Sequence, residues 1–196
     1  MLNTAFDYIA HGQIPGHYLE FGVLDGSTFV RAWRAAQRTH LDDMRFFAFD
    51  SFAGLPRLSD VDEGGEFAEG DLAVARDVFE ETLQRAGVDW SRVTIVEGFF
   101  DSTLVRTNQP AIGLDAAAIV WIDCDLYGST VPALNYVTEL LVDGSVLVFD
   151  DWFCYHGRPD RGEQRACAEW LEQNPQLSLV PYRDFHWAGR AFIVNR

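Results

Sequence analysis

Two apolar segments of this chain end directly in aspartates. Residues 116–122 run into Asp123, and residues 145–149 run into Asp150 and Asp151. Continuous stretches rich in β-branched and aromatic residues are typical of buried parallel strands. Neighbouring strands lie about 4.8 Å apart, and ligands of open α/β sheets bind beyond the carboxyl ends of the strands. We therefore expect the three carboxylates to converge at one edge of a sheet.

Three acids at one point repel each other unless a cation lies among them. Asp123, Asp150 and Asp151 offer only oxygen donors, and no His-x-x-His or Cys-x-x-Cys spacing accompanies them. This favours Mg²⁺ over zinc. A bound Mg²⁺ could chelate adjacent hydroxyls of a substrate and lower the pKa of one of them. We predict that these three residues bind Mg²⁺. The alternative is that Asp151 caps a turn and Asp125 caps the next helix.

Such chemistry also needs a group that accepts the hydroxyl proton. His156 lies a few residues beyond Asp151 and is one candidate for the general base, and His186 is a second. A lone histidine in a loop is more often an ordinary surface residue, which is the alternative for each. Cys124 follows a buried strand and has no basic neighbour, so a structural role is favoured over that of a nucleophile.

A glycine-bearing segment, EFGVLDG at residues 20–26, lies at the first strand–helix junction. It has two glycines four residues apart and lacks the three-glycine dinucleotide fingerprint. Gly22 and Gly26 permit close approach to the backbone, the following helix N-terminus favours a carboxylate, and Glu20 could bind an ammonium group. The segment predicts a site for the amino-acid end of a cofactor, although turn glycines are common after strands.

Two further segments follow the next two predicted strands. Asp50 ends the second strand, where an acid receives ribose hydroxyls in such folds. The alternative for Asp50 is a helix cap or a turn. After the third strand, Gly98, Phe99 and Phe100 could flank an adenine ring, or the two aromatic residues could belong to the core.

Strand and helix patterns alternate along the chain, which predicts a parallel, doubly wound α/β sheet in one domain, 1–196. Ser27 or Thr28 is available as an N-cap of the second helix. The acidic, glycine-bearing residues 57–70 predict a mobile loop. Helices are predicted over residues 3–11, 26–38, 72–86, 129–142 and 163–173, and strands over residues 17–23, 45–49, 93–97, 116–123, 144–150, 177–181 and 188–194.

The composition narrows the classes of partner. A net charge of −15 argues against binding to nucleic acid or to an anionic membrane. No apolar run approaches the roughly 20 residues of a membrane span, and the N-terminus lacks the pattern of a signal peptide. The three cysteines show no paired metal spacing, which fits a reduced, cytoplasmic protein. All fifteen basic residues are arginine, and lysine is absent.

Five motifs occur in order along most of the chain: EFGVLDGSTF at residues 20–29, FDSFAGLP at 49–56, EGFFDSTL at 97–104, IDCDLYGST at 122–130 and DGSVLVFDDW at 143–152. Together they resemble the macrocin O-methyltransferase (TylF/MycF) family of class I S-adenosylmethionine-dependent methyltransferases. The second and fourth motifs are much more specific than the glycine segment. The stretch GEQRA at residues 162–166 is also similar to the start of the helix that follows the acidic pair in the family.

The resemblance implies a Rossmann-like class I methyltransferase fold, with a seven-stranded, mostly parallel sheet and an antiparallel last strand. It implies methyl transfer from S-adenosylmethionine to a hydroxyl, usually on a sugar of a natural product, with Mg²⁺ assistance, and it suggests a homodimer. Asp123, Asp150 and Asp151 match the metal ligands. The cofactor site implied by the matching motifs comprises Glu20, Gly22, Gly26, Ser27, Thr28, Asp50, Ser51, Phe52, Gly98, Phe99, Phe100 and Asp123.

Two departures from the family limit the inference. The chain is short, with a small acidic loop where elements covering the substrate would be expected, so a macrolide sugar should not be assumed. Related catechol-type methyltransferases use a lysine base, which this chain lacks, so the base must be Asp123, a histidine, water or metal activation alone. A catalytically silent domain that binds S-adenosylmethionine or a partner is the alternative, and a nicotinamide-dependent oxidoreductase is a more distant one.

Overall fold

Seven strands form one mixed sheet in the computed structural model, which describes residues 1–196. The strand order is β3-β2-β1-β4-β5-β7-β6. The first five strands are parallel, and β7 runs antiparallel to both β5 and β6. This confirms the predicted sheet. The strands are β1 His17–Phe21, β2 Phe46–Asp50, β3 Val93–Glu97, β4 Ala117–Ile122, β5 Leu141–Phe149, β6 Ser178–Phe185 and β7 Gly189–Asn195.

Six helices pack on the two faces of this sheet, and five of them match predicted segments. The unpredicted one is the four-residue helix α4. None of the helices has the length and apolar character needed to cross a bilayer. The helices are α1 Leu2–Gly12, α2 Ser27–Arg38, α3 Arg76–Arg85, α4 Phe100–Thr103, α5 Tyr127–Val137 and α6 Gly162–Gln173.

Three element ends were predicted wrongly by four or five residues. Helix α3 begins at Arg76 rather than at residue 72, and β6 ends at Phe185 rather than at residue 181. The third is the end of α5. Helix α5 was expected to extend to residue 142, but it ends at Val137, and β5 begins at Leu141. The apolar residues 140–142 fit either element in the sequence. Pairing with β4 decides between them, because Leu141 lies in register with Ala117. Tertiary pairing thus overrides local pattern at this position.

Both faces of the central strands are buried, which explains their continuous apolar sequences. Helices α1, α2 and α3 cover one face, where Phe46 and Trp33 belong to the core. Helices α5 and α6 cover the other, where Phe21 stacks on Phe49 with ring centroids 4.5 Å apart. This packing fixes the ends of β1, β2 and β4 side by side. Strands β2 and β3 lie on one side of β1, and β4 and β5 lie on the other, so the strand order reverses direction between β1 and β4. Ligands of open α/β sheets bind at such a switch point.

Candidate active site

A cleft of about 120 Å³ opens at the carboxyl ends of β1, β2 and β4. It combines apolar walls with a few carboxylates, as small-molecule sites commonly do. Fourteen residues line it: Gly22, Leu24, Asp50, Ser51, Gly54, Leu55, Pro56, Leu72, Phe99, Phe100, Asp123, Cys124, Asp125 and Ser129. The predicted metal ligand Asp123 therefore shares one cavity with parts of the predicted cofactor site.

The two glycines after β1 are required for different reasons. A Cβ atom at Gly22 would overlap the carbonyl oxygen of Asp123, so the ends of β1 and β4 approach each other only because this residue has no side chain. Gly26 has a φ of 82° and caps α2, and a Cβ there would lie 2.8 Å from Phe79. Both features are expected of glycine. Only Gly22 lines the cleft.

The predicted N-cap of α2 was wrong. Gly26 occupies the N-cap position, and no side chain caps it. The backbone N–H of Ser27 instead donates to Asp25 Oδ1 over 2.9 Å. Ser27 is exposed and Thr28 is half-buried, and neither lines the cleft.

Asp50 organises the end of the cleft where the sequence predicts the cofactor. Its Oδ2 accepts hydrogen bonds from the backbone N–H groups of Val23 over 2.7 Å and Leu24 over 3.3 Å, and its Oδ1 accepts one from Phe52 over 2.7 Å. One carboxylate thus ties together the segments that follow β1 and β2. Asp50 also lines the cleft, and a carboxylate oxygen has more than one lone pair. A bound hydroxyl therefore remains compatible with these contacts.

Glu20 lies beneath the cleft and does not line it. Its side chain is fully buried, and its Oε2 accepts a hydrogen bond from the hydroxyl of Tyr18. Burial raises the pKa of Glu20 well above its ordinary value. Its Oε1 has no hydrogen-bond partner. A buried orphan acceptor of this kind fits a role in which a cofactor group or an ordered water supplies the missing donor.

The residues that follow β3 lie partly in the cleft and partly in the core. Phe99 is 41% exposed and lines the cleft, whereas Phe100 lines it and also packs edge-on against Phe21. Gly98 lies behind them and donates its N–H to the carbonyl of Asp50 over 2.9 Å. Phe99 is thus free to contact a ring in the cleft. Phe100 both lines the cleft and packs in the core, the two alternatives that the sequence left open.

The segment after β2 shows the same division. Ser51 lines the cleft, and its Oγ donates to the carbonyl of Gly54 over 2.9 Å. Phe52 turns away and packs against Phe79, with ring centroids 5.8 Å apart. Its backbone has a φ of 51°, an unusual conformation for a bulky residue. Phe52 therefore shapes the turn around Asp50 while its ring joins the core.

The acids after β4 and β5 lie close enough to perturb one another. Burial, followed by the charges of Asp150 and Asp151, raises the pKa of Asp123 well above its ordinary value. Burial, followed by the charge of Asp150, raises the pKa of Asp151 to about 6. Burial, followed by the charge of Asp151, raises the pKa of Asp125 to about 8. Repulsion among buried carboxylates is what a cation would relieve.

The donor set fits a hard divalent cation. All the groups are carboxylates, and Asp151 Oδ2 is buried without a hydrogen-bond partner. In their present conformations, however, no three His, Cys, Asp or Glu side chains are grouped closely enough to hold a metal ion. Binding of one Mg²⁺ by all three of Asp123, Asp150 and Asp151 would therefore require these side chains to move closer together.

Glu163 is the acid that the sequence analysis did not assign to the site. It is fully buried at the start of α6, and its Oε2 accepts a hydrogen bond from the backbone N–H of Asp151 over 3.0 Å. Its Oε1 has no partner. An acid in the first turn of a helix is ordinary, so residue type alone did not indicate that this one faces inward, although it lies in the GEQRA stretch that resembles the family. Its position makes it a support for the Asp151 backbone.

The two candidate histidines lie in different places. His156 is exposed and lines a second pocket outside the cleft. His186 lies against the acids, with its Nε2 3.4 Å from Asp150 Oδ1. Its Nδ1 accepts the backbone N–H of Ala188 over 3.0 Å.

Cys124 is buried beside Thr130, and burial raises the pKa of its thiol, which supports the structural role predicted for it.

The rim of the cleft contains apolar side chains that no motif indicated. Leu24 is 42% exposed and Leu72 is 50% exposed, and both line the cleft. Large exposed apolar residues around a cavity commonly mark a ligand surface. Leucines in loops carry no such signal in a single sequence, because their exposure depends on the fold.

The architecture and the position of the cleft define a class I methyltransferase fold, and solved structures agree. The chain aligns with the calicheamicin methyltransferase CalS11 at a TM-score of 0.80 and 24% identity, covering 98% of this chain and 76% of that one. It aligns with the O-methyltransferase NovP at a TM-score of 0.77 and 23% identity, covering 100% of this chain and 78% of that one.

The chain belongs to the macrocin O-methyltransferase (TylF) family, whose model matches residues 1–166. It is 31% identical over 146 residues to a tetracenomycin-type 4'-O-methyltransferase of Streptomyces olivaceus, covering 71% of this chain and 54% of that protein. It is 31% identical over 165 residues to demethyldecarbamoylnovobiocin O-methyltransferase of Streptomyces niveus, covering 79% of this chain and 60% of that protein. The chain thus spans little more than half the length of these relatives.

Proposed function

We propose that this chain transfers a methyl group from S-adenosylmethionine to a hydroxyl of a small molecule, with assistance from Mg²⁺. One observation carries the proposal. Asp123 lines the same cleft as Gly22 and Asp50, so the acid predicted to bind metal faces the space predicted to hold the cofactor. Methyl transfer requires donor and acceptor at near contact distance, and positioning supplies much of the rate.

The cofactor side of the cleft matches the parts of S-adenosylmethionine. Gly22 permits close approach of the amino-acid end, and Asp50 lies where ribose hydroxyls bind in this fold class. Phe99 and the rim residues Leu24 and Leu72 offer an apolar surface for the adenine ring. Among the structural neighbours, the O-methyltransferase TomG was solved in complex with S-adenosylmethionine.

The acid cluster of Asp123, Asp125, Asp150 and Asp151 marks the proposed acceptor side, where Asp123 and Asp125 line the cleft and Asp150 and Asp151 do not. Asp123, Asp150 and Asp151 would hold Mg²⁺, with Glu163 supporting the Asp151 backbone. Bound there, Mg²⁺ would lower the pKa of a coordinated hydroxyl. Because the chain has no lysine, we assign proton acceptance to Asp123, which lines the cleft. His156 lines a second pocket and not the cleft that contains Asp123.

The acceptor is proposed to be a sugar of a natural product. One relative is named as the methyltransferase of a rhamnosyl tetracenomycin, and another as that of mycinamicin III. Vicinal hydroxyls on such a sugar could chelate Mg²⁺ in two positions. The cytoplasmic location, the single domain and the homodimer expected from the sequence remain predictions.

Calorimetry and a transfer assay test the proposal together. S-adenosylhomocysteine should bind with micromolar affinity, and labelled S-adenosylmethionine should methylate methyl α-L-rhamnoside in the presence of Mg²⁺ but not of EDTA. Full activity in EDTA would refute the metal assignment. Binding of S-adenosylhomocysteine without transfer to any glycoside would favour the silent binding domain instead. Tight binding of NAD with none of S-adenosylhomocysteine would favour an oxidoreductase.

A further inference from the structure

A second pocket of about 150 Å³ lies between residues 57–70, here called the acidic loop, and the segment that follows β5. Its lining is almost entirely polar: Glu63, Gly64, Gly65, Glu66, Tyr155, His156, Arg158 and Arg161. The pocket borders the acid cluster, because the ring of Tyr155 packs against Gly162 and a Cβ at Gly162 would lie 3.8 Å from the carbonyl oxygen of Asp125.

The acidic loop has no helix or strand, as its sequence predicted, but its contacts do not indicate a mobile segment. Asp62 is almost fully buried within it. Its Oδ1 accepts the backbone N–H of Tyr127 over 2.7 Å, and its Oδ2 accepts that of Gly128 over 3.2 Å and the hydroxyl of Ser59 over 2.6 Å. Asp62 thus caps the first turn of α5 from a distant part of the chain.

Two further contacts hold the loop in place. Arg161 donates from Nη1 to the carbonyl oxygens of Val61 and Glu63. Gly65 lies directly on the ring of Tyr155, where any side chain would overlap the ring. The loop is therefore attached both to the helix that follows Asp125 and to the segment that follows Asp151. These attachments build the outer wall of the second pocket.

The charged groups of this pocket disfavour a phosphate-bearing ligand. Arg158 forms a two-point ion pair with Asp160, with distances of 2.9 and 2.7 Å. Arg161 is engaged with backbone carbonyls. Glu63 and Glu66 are exposed carboxylates on the pocket wall. Phosphate recognition relies on free guanidinium or ammonium groups, whereas carboxylates and a histidine serve as hydrogen-bonding partners for hydroxyls.

We propose that the second pocket is the acceptor subsite for an uncharged, hydroxyl-bearing group, and that Asp62 is the positioning residue that holds its wall. The subsite rests on the proposed function, since it names where the acceptor of that reaction binds. The attachment of the loop by Asp62 does not depend on it. The acceptor is then a glycoside rather than a nucleotide-diphosphate sugar.

The attachment is tested by proteolysis. Arg57 is exposed at the start of the acidic loop and offers trypsin a cleavage site. Asp62→Ala should be cleaved there at least tenfold faster than the wild type. Asp60→Ala removes an exposed acid of the same loop and should be cleaved at the wild-type rate. Equal rates for all three proteins would overturn the role of Asp62, as would a loss of S-adenosylhomocysteine affinity beyond twofold in Asp62→Ala.

The subsite is tested by measuring KM for the acceptor and KM for S-adenosylmethionine separately in the same variants. Asp62→Ala should raise KM for methyl α-L-rhamnoside at least tenfold and leave KM for S-adenosylmethionine within twofold. Asp62→Asn keeps one oxygen for the Tyr127 amide and should restore part of the loss. Ser59→Ala, which removes only one contact, serves if Asp62→Ala does not fold. Equal rises in both Michaelis constants would indicate a general structural defect and refute the subsite.

The class of acceptor is tested by comparing two rhamnose-containing acceptors of different charge. TDP-rhamnose should show kcat/KM at least tenfold below that of methyl α-L-rhamnoside, and the reverse order would refute the uncharged class. If the wild type methylates neither, the proposed function fails. Saturation-transfer NMR with methyl α-L-rhamnoside then decides the subsite by itself, because binding that is lost in Asp62→Ala supports it and absence of binding overturns it.

Discussion

The backbone of Gly22 lies so close to Asp123 that a Cβ atom at position 22 would overlap the Asp123 carbonyl oxygen. Gly22→Ala should therefore push apart the ends of β1 and β4. We expect a loss of roughly 2–4 kcal/mol in the free energy of unfolding, because steric overlap adds to the strain of a positive φ. Affinity for S-adenosylhomocysteine should fall at least tenfold. Urea unfolding and calorimetry measure the two effects.

Gly70→Ala provides a matched control for this substitution. Gly70 has the same φ of 84° as Gly22, but open space surrounds the position of its Cβ. The conformational strain alone should cost about 1 kcal/mol, with unchanged cofactor affinity. Similar losses for the two variants would show that backbone conformation, rather than close approach to Asp123, determines the requirement for glycine.

Asp50 holds three backbone N–H groups around the cleft, from Val23, Leu24 and Phe52. Asp50→Ala should release both loops and lower affinity for S-adenosylhomocysteine at least tenfold, measured by calorimetry. Asp25→Ala removes an acid from the same region that contacts only the Ser27 amide, and its affinity should stay within twofold of the wild type. Wild-type affinity in Asp50→Ala would contradict the proposed cofactor site.

The fold was predictable because the central strands have apolar residues on both faces. Strands such as β4 are apolar at every position, which only a sheet covered on both faces requires. Boundaries were less predictable, because the pairing of Leu141 with Ala117 involves residues far apart in the chain. The helix–strand boundary near residue 140 therefore could not be read from local pattern.

The location of Asp50 and Asp123 at the cleft was predictable, because each lies at the carboxyl end of a strand, while their roles stay predictions. The site was unpredictable where the fold turns an ordinary surface residue inward. Asp62 and Glu163 lie in segments whose composition is typical of solvent-exposed chain, yet both are almost fully buried. Their partners are backbone amides, which carry no sequence signature. Only the tertiary structure brings such groups together.

Mg²⁺ should stabilise the wild-type protein if the acid cluster binds it. A ligand at tenfold its Kd contributes about 1.4 kcal/mol, which for a chain of this size corresponds to a rise in Tm of about 3–6 °C. Asp151→Asn should lose this rise, while Asp101→Asn, an exposed acid on α4, should keep it. Differential scanning fluorimetry with and without Mg²⁺ measures the change. An identical rise in both variants would place the cation elsewhere.

His17 should make folding stability depend on pH. Its Nδ1 accepts the backbone N–H of Arg45 over 3.2 Å, and its Nε2 lies 3.3 Å from Asp115. Burial and the charge of Arg45 lower the pKa of His17, and Asp115 opposes them only in part. The folded protein therefore favours the neutral ring, which keeps Nδ1 free to accept the amide hydrogen.

The sign of the effect follows from proton binding. Above about pH 6.5 the histidine is neutral in both states, and it has no influence on the pH dependence. As the pH falls below that value, the unfolded chain binds a proton before the folded one, so the free energy of unfolding decreases until the pH reaches the lowered folded-state pKa. His17→Asn keeps an acceptor oxygen near the Nδ1 position and cannot titrate. Urea unfolding at pH 7.5 and 5.0 measures the effect. Between these values the free energy of unfolding of the wild type should fall by about 1 kcal/mol more than that of His17→Asn, the usual value of one buried hydrogen bond. The control His11→Asn, at an exposed site on α1, should follow the wild type. Equal losses in the wild type and His17→Asn would assign the acid sensitivity to other groups.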